Sequence, residues 1–340
     1  MTSIPKRPLG RNGPEVNRLG FGCMGLSAFY GPPKPDNERL AVLDAAYEAG
    51  ERFWDTADIY QDNEDLLGKW FAANPEKRKD IFLATKFGLH HKDDSTVEVR
   101  GDPEYVKEAC ARSLKRLGLP YVDLYYCHRL DQNVPVEKTV QAMAELKNEG
   151  KIKYLGLSEC SAESLRRAYK VHPITAVEVE YSPFTLDIED PRIKLLETCR
   201  ELGVAVVAYS PLGRGMLTGK YRSPNDFPKD DWRRLAPRFS EQNFPKNLQL
   251  VDQIQSVAHK KGCTASQLTL AWLLAQGDDI FPIPGTTQVE RLKENLGALD
   301  IKLDKEDVEI VRKASEEAEV HGDRYPGQMA AQLFADTPPL

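Results

Sequence analysis

Short apolar runs and longer amphipathic segments alternate along almost the whole chain. In the amphipathic segments apolar residues recur every three to four positions, as at Leu40, Leu43 and Ala46, which is the helical period. The apolar runs between them have the length of strands that are buried on both faces. The predicted helices are 37–49, 63–73, 103–117, 136–148, 162–171, 191–202, 248–261, 265–275, 289–299 and 305–319. The predicted strands are 18–22, 52–55, 81–86, 122–128, 152–158, 176–180, 204–209 and 280–283.

Capping and turn residues stand where the pattern changes. Asp102 followed by Pro103 is typical of a helix N-cap with proline at the first helical position, and Gly203 ends a helix. Residues 7–9 and 15–17 flank a Gly-rich turn, which predicts a short hairpin before the first strand of the main pattern.

Because eight strands alternate with helices, the sequence predicts an α/β fold of the (β/α)8, or TIM barrel, type. We expect one domain over residues 1–340, with an N-terminal β-hairpin, a long loop after strand seven (210–246) and an extra C-terminal helix. A tail, residues 318–340, is expected to lie over the barrel mouth, the end where the strands have their C-termini.

A doubly wound open sheet is the alternative fold. It would carry a G-x-G-x-x-G motif that opens the first helix, and Gly20–Gly25 has the outer glycines at that spacing. About a dozen residues with three prolines separate this motif from the helix at Asn37. We therefore interpret it as a turn in which the backbone comes close to a ligand.

Composition narrows the class of protein. The 340 residues are 41% hydrophobic and 29% charged, with a net charge of -6, so we expect no nucleic-acid partner. No apolar run is long enough to span a membrane and the N-terminus does not resemble a secretory signal, so the predicted location is the cytoplasm. The six Cys lack zinc spacing, which predicts buried thiols and no metal site.

Polar residues at strand ends carry the candidate chemistry. Asp55, Lys86 and His128 end predicted strands, and Tyr60 follows Asp55 by five residues. In a barrel these side chains would meet at the mouth, where barrel enzymes place their active sites. A Lys next to a Tyr lowers the phenol's pKa, so that the Tyr can act as an acid near neutral pH. Each residue alone could be structural, but Lys86 would be costly there without a partner.

The motifs around these residues resemble those of the aldo-keto reductase family from Gly20 to about Leu299. They are Phe53–Tyr60, Ala84–Lys86, Leu124–His128, Gly156–Ser158, Tyr209–Gly215 and Ile283–Thr287, followed by Arg291 and Asn295. Within the family the chain is similar to the branch with a long loop after strand seven, which includes microbial and plant aldehyde and ketone reductases.

The resemblance implies reversible hydride transfer between NADP(H) and a carbonyl group. In that scheme Tyr60 donates a proton to the carbonyl oxygen, and Lys86 lowers the pKa of the phenol. Asp55 pairs with Lys86 and holds it in place, while His128 donates a hydrogen bond that orients the carbonyl. The small-molecule partner would be an aldehyde or ketone.

The resemblance also assigns a binding site for NADPH/NADP+. Ser158, Glu159 and Glu178 would meet the nicotinamide carboxamide, and Tyr209 would stack on its ring. Three further parts of the cofactor would have their own contacts. The pyrophosphate would meet Ser210, Pro211, Leu212 and Gly213, the 2'-phosphate would meet Pro284, Gly285, Thr286, Thr287 and Arg291, and the adenine would meet Glu294 and Asn295. Gly22, Cys23 and Met24 are also expected to contact the cofactor. The guanidinium of Arg291 suits a phosphate dianion, which favours NADP over NAD.

Three residues depart from the family pattern. Gln61 stands where Gly is usual after the catalytic Tyr, Glu159 where Asn is common, and Glu178 where Gln is common. An ionised Glu only accepts hydrogen bonds, whereas Gln also donates them. We expect the two Glu residues to make the pocket more negative and to favour the cationic nicotinamide of NADP+.

Three segments over the mouth would select the substrate. They are residues 29–36, residues 210–246 with Trp232, Phe239 and Phe244, and the tail with Tyr325 and Phe334. Their aromatic residues indicate a partly apolar substrate, although packing of the loops explains them equally well. The natural carbonyl compound, the direction of the reaction and the oligomeric state are not predicted.

Three other functions compete with a reductase. A lyase with a Schiff base on Lys86 would leave Tyr60 and the 284–295 segment unexplained. A non-enzymatic NADP(H) sensor with slow turnover would keep the same residues. A scaffold with a vestigial site is disfavoured by the intact set of four residues.

Overall fold

A computed structural model describes residues 4–92 and 96–340 of the chain. The strands are β1 Lys6–Pro8, β2 Glu15–Asn17, β3 Phe21–Gly22, β4 Phe53–Asp55, β5 Phe82–Phe87, β6 Leu89–His91, β7 Val97–Val99, β8 Val122–Cys127, β9 Ile152–Ser158, β10 Ala176–Glu180, β11 Ala205–Tyr209 and β12 Ile280–Pro282. The helices are α1 Asp36–Glu48, α2 Asn63–Ala73, α3 Pro103–Leu117, α4 Val136–Asn148, α5 Ala162–Val171, α6 Leu195–Leu202, α7 Phe244–Lys261, α8 Ala265–Leu274, α9 Val289–Leu296 and α10 Lys305–Glu317.

Eight parallel strands form one closed sheet. They are hydrogen-bonded in the order β3, β4, β5, β8, β9, β10, β11 and β12. The two ends of this sheet join where Gly20 N–H donates to Pro282 O at 2.9 Å and Gly22 N–H donates to Pro284 O at 3.3 Å. The predicted (β/α)8 barrel is confirmed, and the doubly wound sheet is wrong.

The N-terminal hairpin closes the end of the barrel opposite the mouth. β1 and β2 pair in antiparallel register, as predicted, and their Leu9 and Val16 pack with Phe53 inside the barrel. The turn residue Gly10 has a φ of 79°, and a Cβ there would lie 2.6 Å from Thr175 O. This close approach explains why a glycine is needed in the hairpin turn.

Local sequence signals explain the ends of several helices. Asp102 accepts a hydrogen bond from Tyr105 N–H at 3.0 Å at the start of α3, and Gly118 ends the helix with a φ of 64°. The predicted helix 191–202 begins only at Leu195, because Lys194 before it adopts a left-handed φ of 54°. The prediction therefore placed the start of that helix four residues too early.

The structure corrects one expectation about the loops and decides between two alternatives for another. The strands β6 and β7 form a small antiparallel hairpin directly after β5, where the polar run of residues 90–94 predicts a loop. Asp93 and Asp94 of that expected loop lie outside the described residues. Within the long loop after β11, Phe239 and Phe244 are buried and pack against Phe227, with ring centroids 5.6 and 5.9 Å away. These two rings therefore hold the loop down rather than face a substrate.

Glu51, just before β4, is a buried acid at the closed end of the barrel. It is 1% exposed, and its Oε1 accepts a hydrogen bond from Phe53 N–H at 3.1 Å. Burial raises the pKa of Glu51 to about 8. Because this folded-state pKa exceeds the pKa of an unfolded Glu, the bound proton stabilises the fold at low pH. That stabilisation is lost as the pH rises toward and through about 8.

Glu51→Gln should remove this pH dependence, because an amide keeps the acceptor for Phe53 N–H but does not ionise. From pH 6 to pH 9 the wild type should lose roughly 2–3 kcal/mol more unfolding free energy than the variant. Urea unfolding at both pH values measures the difference. Glu48→Gln, on the exposed end of α1, is the control. Equal losses in wild type and Glu51→Gln would contradict the prediction.

Candidate active site

A fully buried ammonium group lies inside the barrel near the mouth. Lys86 Nζ donates hydrogen bonds to Asp55 Oδ1, to Thr56 O at 2.9 Å and to the Tyr60 hydroxyl oxygen at 3.4 Å. It also lies 3.3 Å from Glu178 Oε1. Burial alone would lower the pKa of Lys86, but the charges of Asp55 and Glu178 outweigh it and raise the pKa. The side chain is therefore an ammonium ion at neutral pH.

Strand register explains why these groups meet. Side chains alternate across a strand, so Asp55 points into the barrel two residues after Phe53, and Lys86 does so two residues after Ala84. Glu178 points inward from β10 across the barrel, where it approaches Lys86. Toward the mouth, the apolar layer that contains Phe53, Ala84 and Ala176 is followed by the layer of Asp55, Lys86 and Glu178.

Tyr60 and His128 complete the predicted set of four. Their rings contact edge to face, with centroids 5.8 Å apart, and Phe29 packs against the other side of Tyr60 at 6.2 Å. Tyr60 and His128 are 8% and 7% exposed, so both reach the surface of the mouth. The structure brings Asp55, Tyr60, Lys86 and His128 together, while their catalytic roles stay predictions.

The residue after Tyr60 adopts the backbone shape of a glycine. Gln61 has a φ of 50°, its N–H donates to Ile59 O at 2.8 Å, and its carbonyl accepts from Arg116. The left-handed φ is the conformation that the usual Gly would take at no cost. The departure at Gln61 therefore leaves the turn intact at the expense of some backbone strain.

The acidity of Tyr60 follows from competing effects. Burial raises the pKa of the Tyr60 phenol above its ordinary value, Lys86 lowers it, and the charges of Glu178 and Asp55 raise it. Lys86 thus acts in the expected direction, but burial is the larger effect. The phenol is protonated at neutral pH, and extra positive charge near it would make it a stronger acid.

His128 is a neutral hydrogen-bonding group. Burial, Arg129 and Lys86 together hold its pKa well below the usual value. A neutral imidazole carries one N–H donor and one acceptor nitrogen. His128 can therefore donate a hydrogen bond to a carbonyl oxygen beside Tyr60 without supplying charge.

Glu159 is tied to the C-terminal tail. It is fully buried, and its two carboxylate oxygens accept hydrogen bonds from Arg324 at 3.1 and 3.2 Å. Tyr209 OH also donates to Glu159 Oε1 at 2.7 Å. From its identity alone, we expected Glu159 to make the pocket more negative. The guanidinium of Arg324 offsets that negative charge.

Two arginines at the mouth were missed in the sequence. Arg129 donates to His128 O at 2.7 Å and to Ser158 Oγ and Tyr325 OH at 3.4 Å each. Its place directly after His128 at a strand end was the available signal. Arg324 had no such signal, because its partner Glu159 lies 165 residues away in the sequence.

The turn after β11 and the residues around it frame the predicted nicotinamide site. Tyr209, at the end of β11, is half-buried, and its hydroxyl lies 3.2 Å from that of Tyr325. Ser210 and Gly213 have positive φ values of 48° and 57°, and Gly213 N–H donates to Ser210 O at 2.8 Å. Pro211 and Leu212 lie within this tight turn.

The turn after β3 lies against the loop after β12. A Cβ on Gly22 would lie 2.8 Å from Ile283 O, and one on Gly285 would lie 2.5 Å from Gly22 O. The close approach that we expected at Gly22 is therefore made to the protein's own backbone. The next two residues contact a different part of the barrel. Cys23 N–H donates to Asp55 O at 2.8 Å, and Met24 packs in the cluster that contains Tyr60.

The residues predicted for the 2'-phosphate and adenine lie on one loop and helix. Gly285 and Arg291 are exposed, and Arg291 forms an ion pair with Glu294 at 2.6 Å. Thr286 Oγ1 accepts from Gln288 N–H at 3.1 Å at the start of α9. Thr287 is half-buried, and Pro284 and Asn295 are buried.

The described residues hold no group of three or more His, Cys, Asp or Glu side chains that could bind a metal ion. All six cysteines are free within this part of the chain, and burial raises the pKa of Cys110 to about 12. No helix among residues 4–92 and 96–340 is long and apolar enough to cross a membrane.

Comparisons with known proteins agree on one family. Residues 18–316 match the model of the aldo/keto reductase family. Aldo-keto reductase str7 of Strobilurus tenacellus is 55% identical over 342 residues, and aldo-keto reductase yakc [NADP(+)] of Schizosaccharomyces pombe is 50% identical over the same length. Each alignment covers 99% of both proteins.

Solved structures give the same result. A thermostable aldo-keto reductase in complex with the inhibitor epalrestat is 31% identical with a TM-score of 0.73, covering 92% of this chain and 100% of its own. The glycerol dehydrogenase of Gluconobacter oxydans is 26% identical with a TM-score of 0.82, covering 95% of this chain and 98% of its own. The chain belongs to the aldo/keto reductase family.

Proposed function

We propose that this protein uses NADPH to reduce an aldehyde or ketone to an alcohol. The observation that carries the proposal is the meeting of Lys86, Asp55, Tyr60 and His128 at the barrel mouth. The S. pombe relative is named for NADP(+), and the G. oxydans neighbour is named a glycerol dehydrogenase, which is the same chemistry in the oxidative direction.

Each residue of the site would have a separate role in the reduction of the carbonyl group. The cofactor supplies the hydride. Tyr60 OH and an N–H of His128 donate hydrogen bonds to the carbonyl oxygen, and Tyr60 gives its proton to that oxygen as negative charge develops. Lys86, 3.4 Å from the Tyr60 oxygen, stabilises the phenolate that remains. Asp55 holds Lys86 in position.

The geometry argues against a Schiff base on Lys86. An amine must be neutral and accessible to attack a carbonyl, and enzymes achieve this by lowering the pKa of the lysine. Lys86 is fully buried, and Asp55 and Glu178 raise its pKa. The side chain is held as a cation by its partners, which is the state that a proton-tuning role needs.

The aromatic groups at the mouth favour an apolar carbonyl compound. Phe29 is 40% exposed and packs edge to face against Tyr60. Trp232 from the long loop packs against Tyr325 from the tail, with ring centroids 5.5 Å apart. An aromatic or branched aldehyde would bury more apolar surface here than a small polar one.

The chain offers donors that suit a phosphorylated dinucleotide. Arg291 is exposed in the first turn of α9, and Thr286 and Thr287 lie in the loop directly before this helix, which is a chemically suitable set for a 2'-phosphate. Tyr209 at the end of β11 presents a half-buried ring and pairs with Glu180 on β10, while Glu178 on β10 pairs with Ser158 on β9. These residues would hold NADPH across the mouth.

Arg291→Met should weaken NADPH binding about 10- to 100-fold, because a charge-assisted hydrogen bond to phosphate contributes roughly 1.5–3 kcal/mol. NADH, which has no 2'-phosphate, should bind with an affinity within about twofold of wild type. Fluorescence titration of both cofactors measures this. Lys293→Met, on the same helix, is the control for general charge loss. Equal losses for NADPH and NADH would assign Arg291 another role.

Steady-state turnover tests the proposed function. The loss of NADPH absorbance is followed with aromatic aldehydes, diketones and aliphatic ketones, and in parallel with NADH. Turnover with NADPH that exceeds turnover with NADH supports the proposal, and the ranking of carbonyl compounds defines the substrate. Tight NADPH binding without turnover on any compound would instead favour a cofactor-sensing protein.

A further inference from the structure

Two carboxyl groups share one ammonium group inside the barrel. Lys86 Nζ contacts Asp55 Oδ1 and lies 3.3 Å from Glu178 Oε1. The side chains of Lys86, Asp55 and Glu178 are 0%, 3% and 4% exposed, so water does not screen their charges. With both acids ionised, this buried group would carry one net negative charge.

The remaining oxygens of the two acids lack partners. Asp55 Oδ2 and Glu178 Oε2 are buried and accept no hydrogen bond from the described residues. Both carboxyl groups lie at the same Lys86 Nζ, which places them next to each other, and each shifts the pKa of the other. A single proton between them would turn one oxygen into a donor and satisfy both at once. The same proton would make the buried group electrically neutral.

Among the groups of this cluster, Glu178 is the one expected to carry the shared proton. Besides Asp55 and Lys86, the titratable groups around it are the phenols of Tyr60 and Tyr126, which carry no charge at neutral pH. His128 above them is also neutral. Burial and Asp55 raise the pKa of Glu178 well above its usual value. Asp55 has the closer contact with Lys86 and therefore keeps the negative charge.

We propose that Glu178 is a protonated carboxylic acid, hydrogen-bonded to Asp55, in the free and NADPH-bound protein, and that NADP+ binding releases this proton to solvent. This rests on the proposed function. A protonated acid offers one donor and one acceptor, as an amide does, so Glu178 can serve where Gln is common in the family. The expectation of a permanently negative pocket is replaced by a charge that appears only with the oxidised cofactor.

The reason for the release is the charge of the oxidised nicotinamide. With the nicotinamide held beside Tyr60, as the proposed function requires, the positive charge of NADP+ would lie in the pocket that contains Glu178. A nearby positive charge favours an ionised carboxyl group and lowers its pKa by one to several units. One proton then leaves Glu178 as a carboxylate forms, and the buried group becomes negative opposite the cation. Glu178 is thus a residue that discriminates between the two cofactor states.

Calorimetry with both cofactors counts the proton. Binding heats of NADP+ and NADPH are measured near pH 7 in two buffers with different ionisation enthalpies. The difference between cofactors cancels any proton taken up by the 2'-phosphate, which both carry. We expect wild type to release about one more proton with NADP+ than with NADPH. The ratio of NADP+ to NADPH dissociation constants should fall about tenfold per pH unit in this range.

Glu178→Gln should abolish both the extra proton and the pH dependence of this ratio, while it still binds NADPH. Glu180→Gln is the matched control on the same strand, since Arg214, Arg324 and Arg238 overcome the effect of burial and hold the pKa of Glu180 at about 2. It should keep the extra proton. If Glu178→Gln does not fold, loss of a protonated-carboxyl infrared band on adding NADP+ to wild type replaces it.

Equal proton counts for NADP+ and NADPH in wild type would overturn the proposal, as would an unchanged difference in Glu178→Gln. Absence of binding heat with either cofactor would instead show that the proposed function has failed. The two failures are therefore distinguishable.

Discussion

Tyr60→Phe should lower kcat for reduction of a test aldehyde about 10²- to 10⁴-fold, the usual contribution of a general acid. Tyr60 carries the hydroxyl group that lies 3.4 Å from Lys86 Nζ and beside the His128 ring. Phenylalanine keeps the ring packing against Phe29 and His128 but has no proton to give. NADPH affinity should stay within about twofold of wild type. Stopped-flow turnover and fluorescence titration measure the two quantities separately.

Tyr126→Phe is the matched control for this prediction. Tyr126 is a fully buried phenol on β8, and its hydroxyl has no hydrogen-bond partner among the described residues. Removing that hydroxyl should leave both kcat and stability close to wild type. If Tyr60→Phe kept more than about a tenth of wild-type kcat, a different group would be the acid.

Lys86→Met should have the second large effect, on both activity and stability. Without the ammonium, Asp55 and Glu178 lose their buried counter-ion, and breaking such a pair costs about 3–5 kcal/mol. Asp55 would then take up a proton as well, so that both carboxyl groups are neutral in the folded state. Their raised folded-state pKa values make the variant less stable as the pH rises. kcat should fall about 10²-fold or more, because the phenolate of Tyr60 loses its cation.

The double variant Lys86→Met with Asp55→Asn separates the two effects. It removes an acid together with the cation, so much of the unfolding free energy should return, most clearly in urea unfolding at high pH. Activity should stay low, since nothing replaces the charge beside Tyr60. Recovery of activity along with stability would mean that Lys86 serves only the fold.

The fold was predictable because its signals are local. Strand and helix periods, the N-cap at Asp102 and the hairpin glycines each act over a few residues, and together they specify a barrel. The short hairpin of β6 and β7 was missed because its strands are partly exposed and contain His90, His91 and Glu98, so they show no apolar pattern. The late start of α6 depends on the backbone of Lys194, which no pattern of apolar residues reports.

The charge state of the site was less predictable than its composition. Asp55, Lys86 and His128 were identified from their positions at predicted strand ends, and Tyr60 from its place five residues after Asp55, since barrel geometry brings such ends together. The counter-charges come from segments that are distant in the sequence. Arg324, for example, pairs with Glu159. The identity of Glu178 suggested an anion, but its state depends on Asp55, which reaches it only in the folded barrel. Burial likewise decides the pKa of Tyr60 more than Lys86 does.

Transfer of deuterium from cofactor to substrate tests the central claim most directly. NADPH that carries deuterium at both C4 positions of the nicotinamide is incubated with the wild-type protein and the aldehyde that gives the fastest turnover. The account predicts an alcohol with one deuterium on the former carbonyl carbon, detected by mass spectrometry, and at most about a hundredth of that amount with Tyr60→Phe over the same time. NADPH oxidation that yields no deuterated alcohol would contradict hydride transfer to the carbonyl at this site.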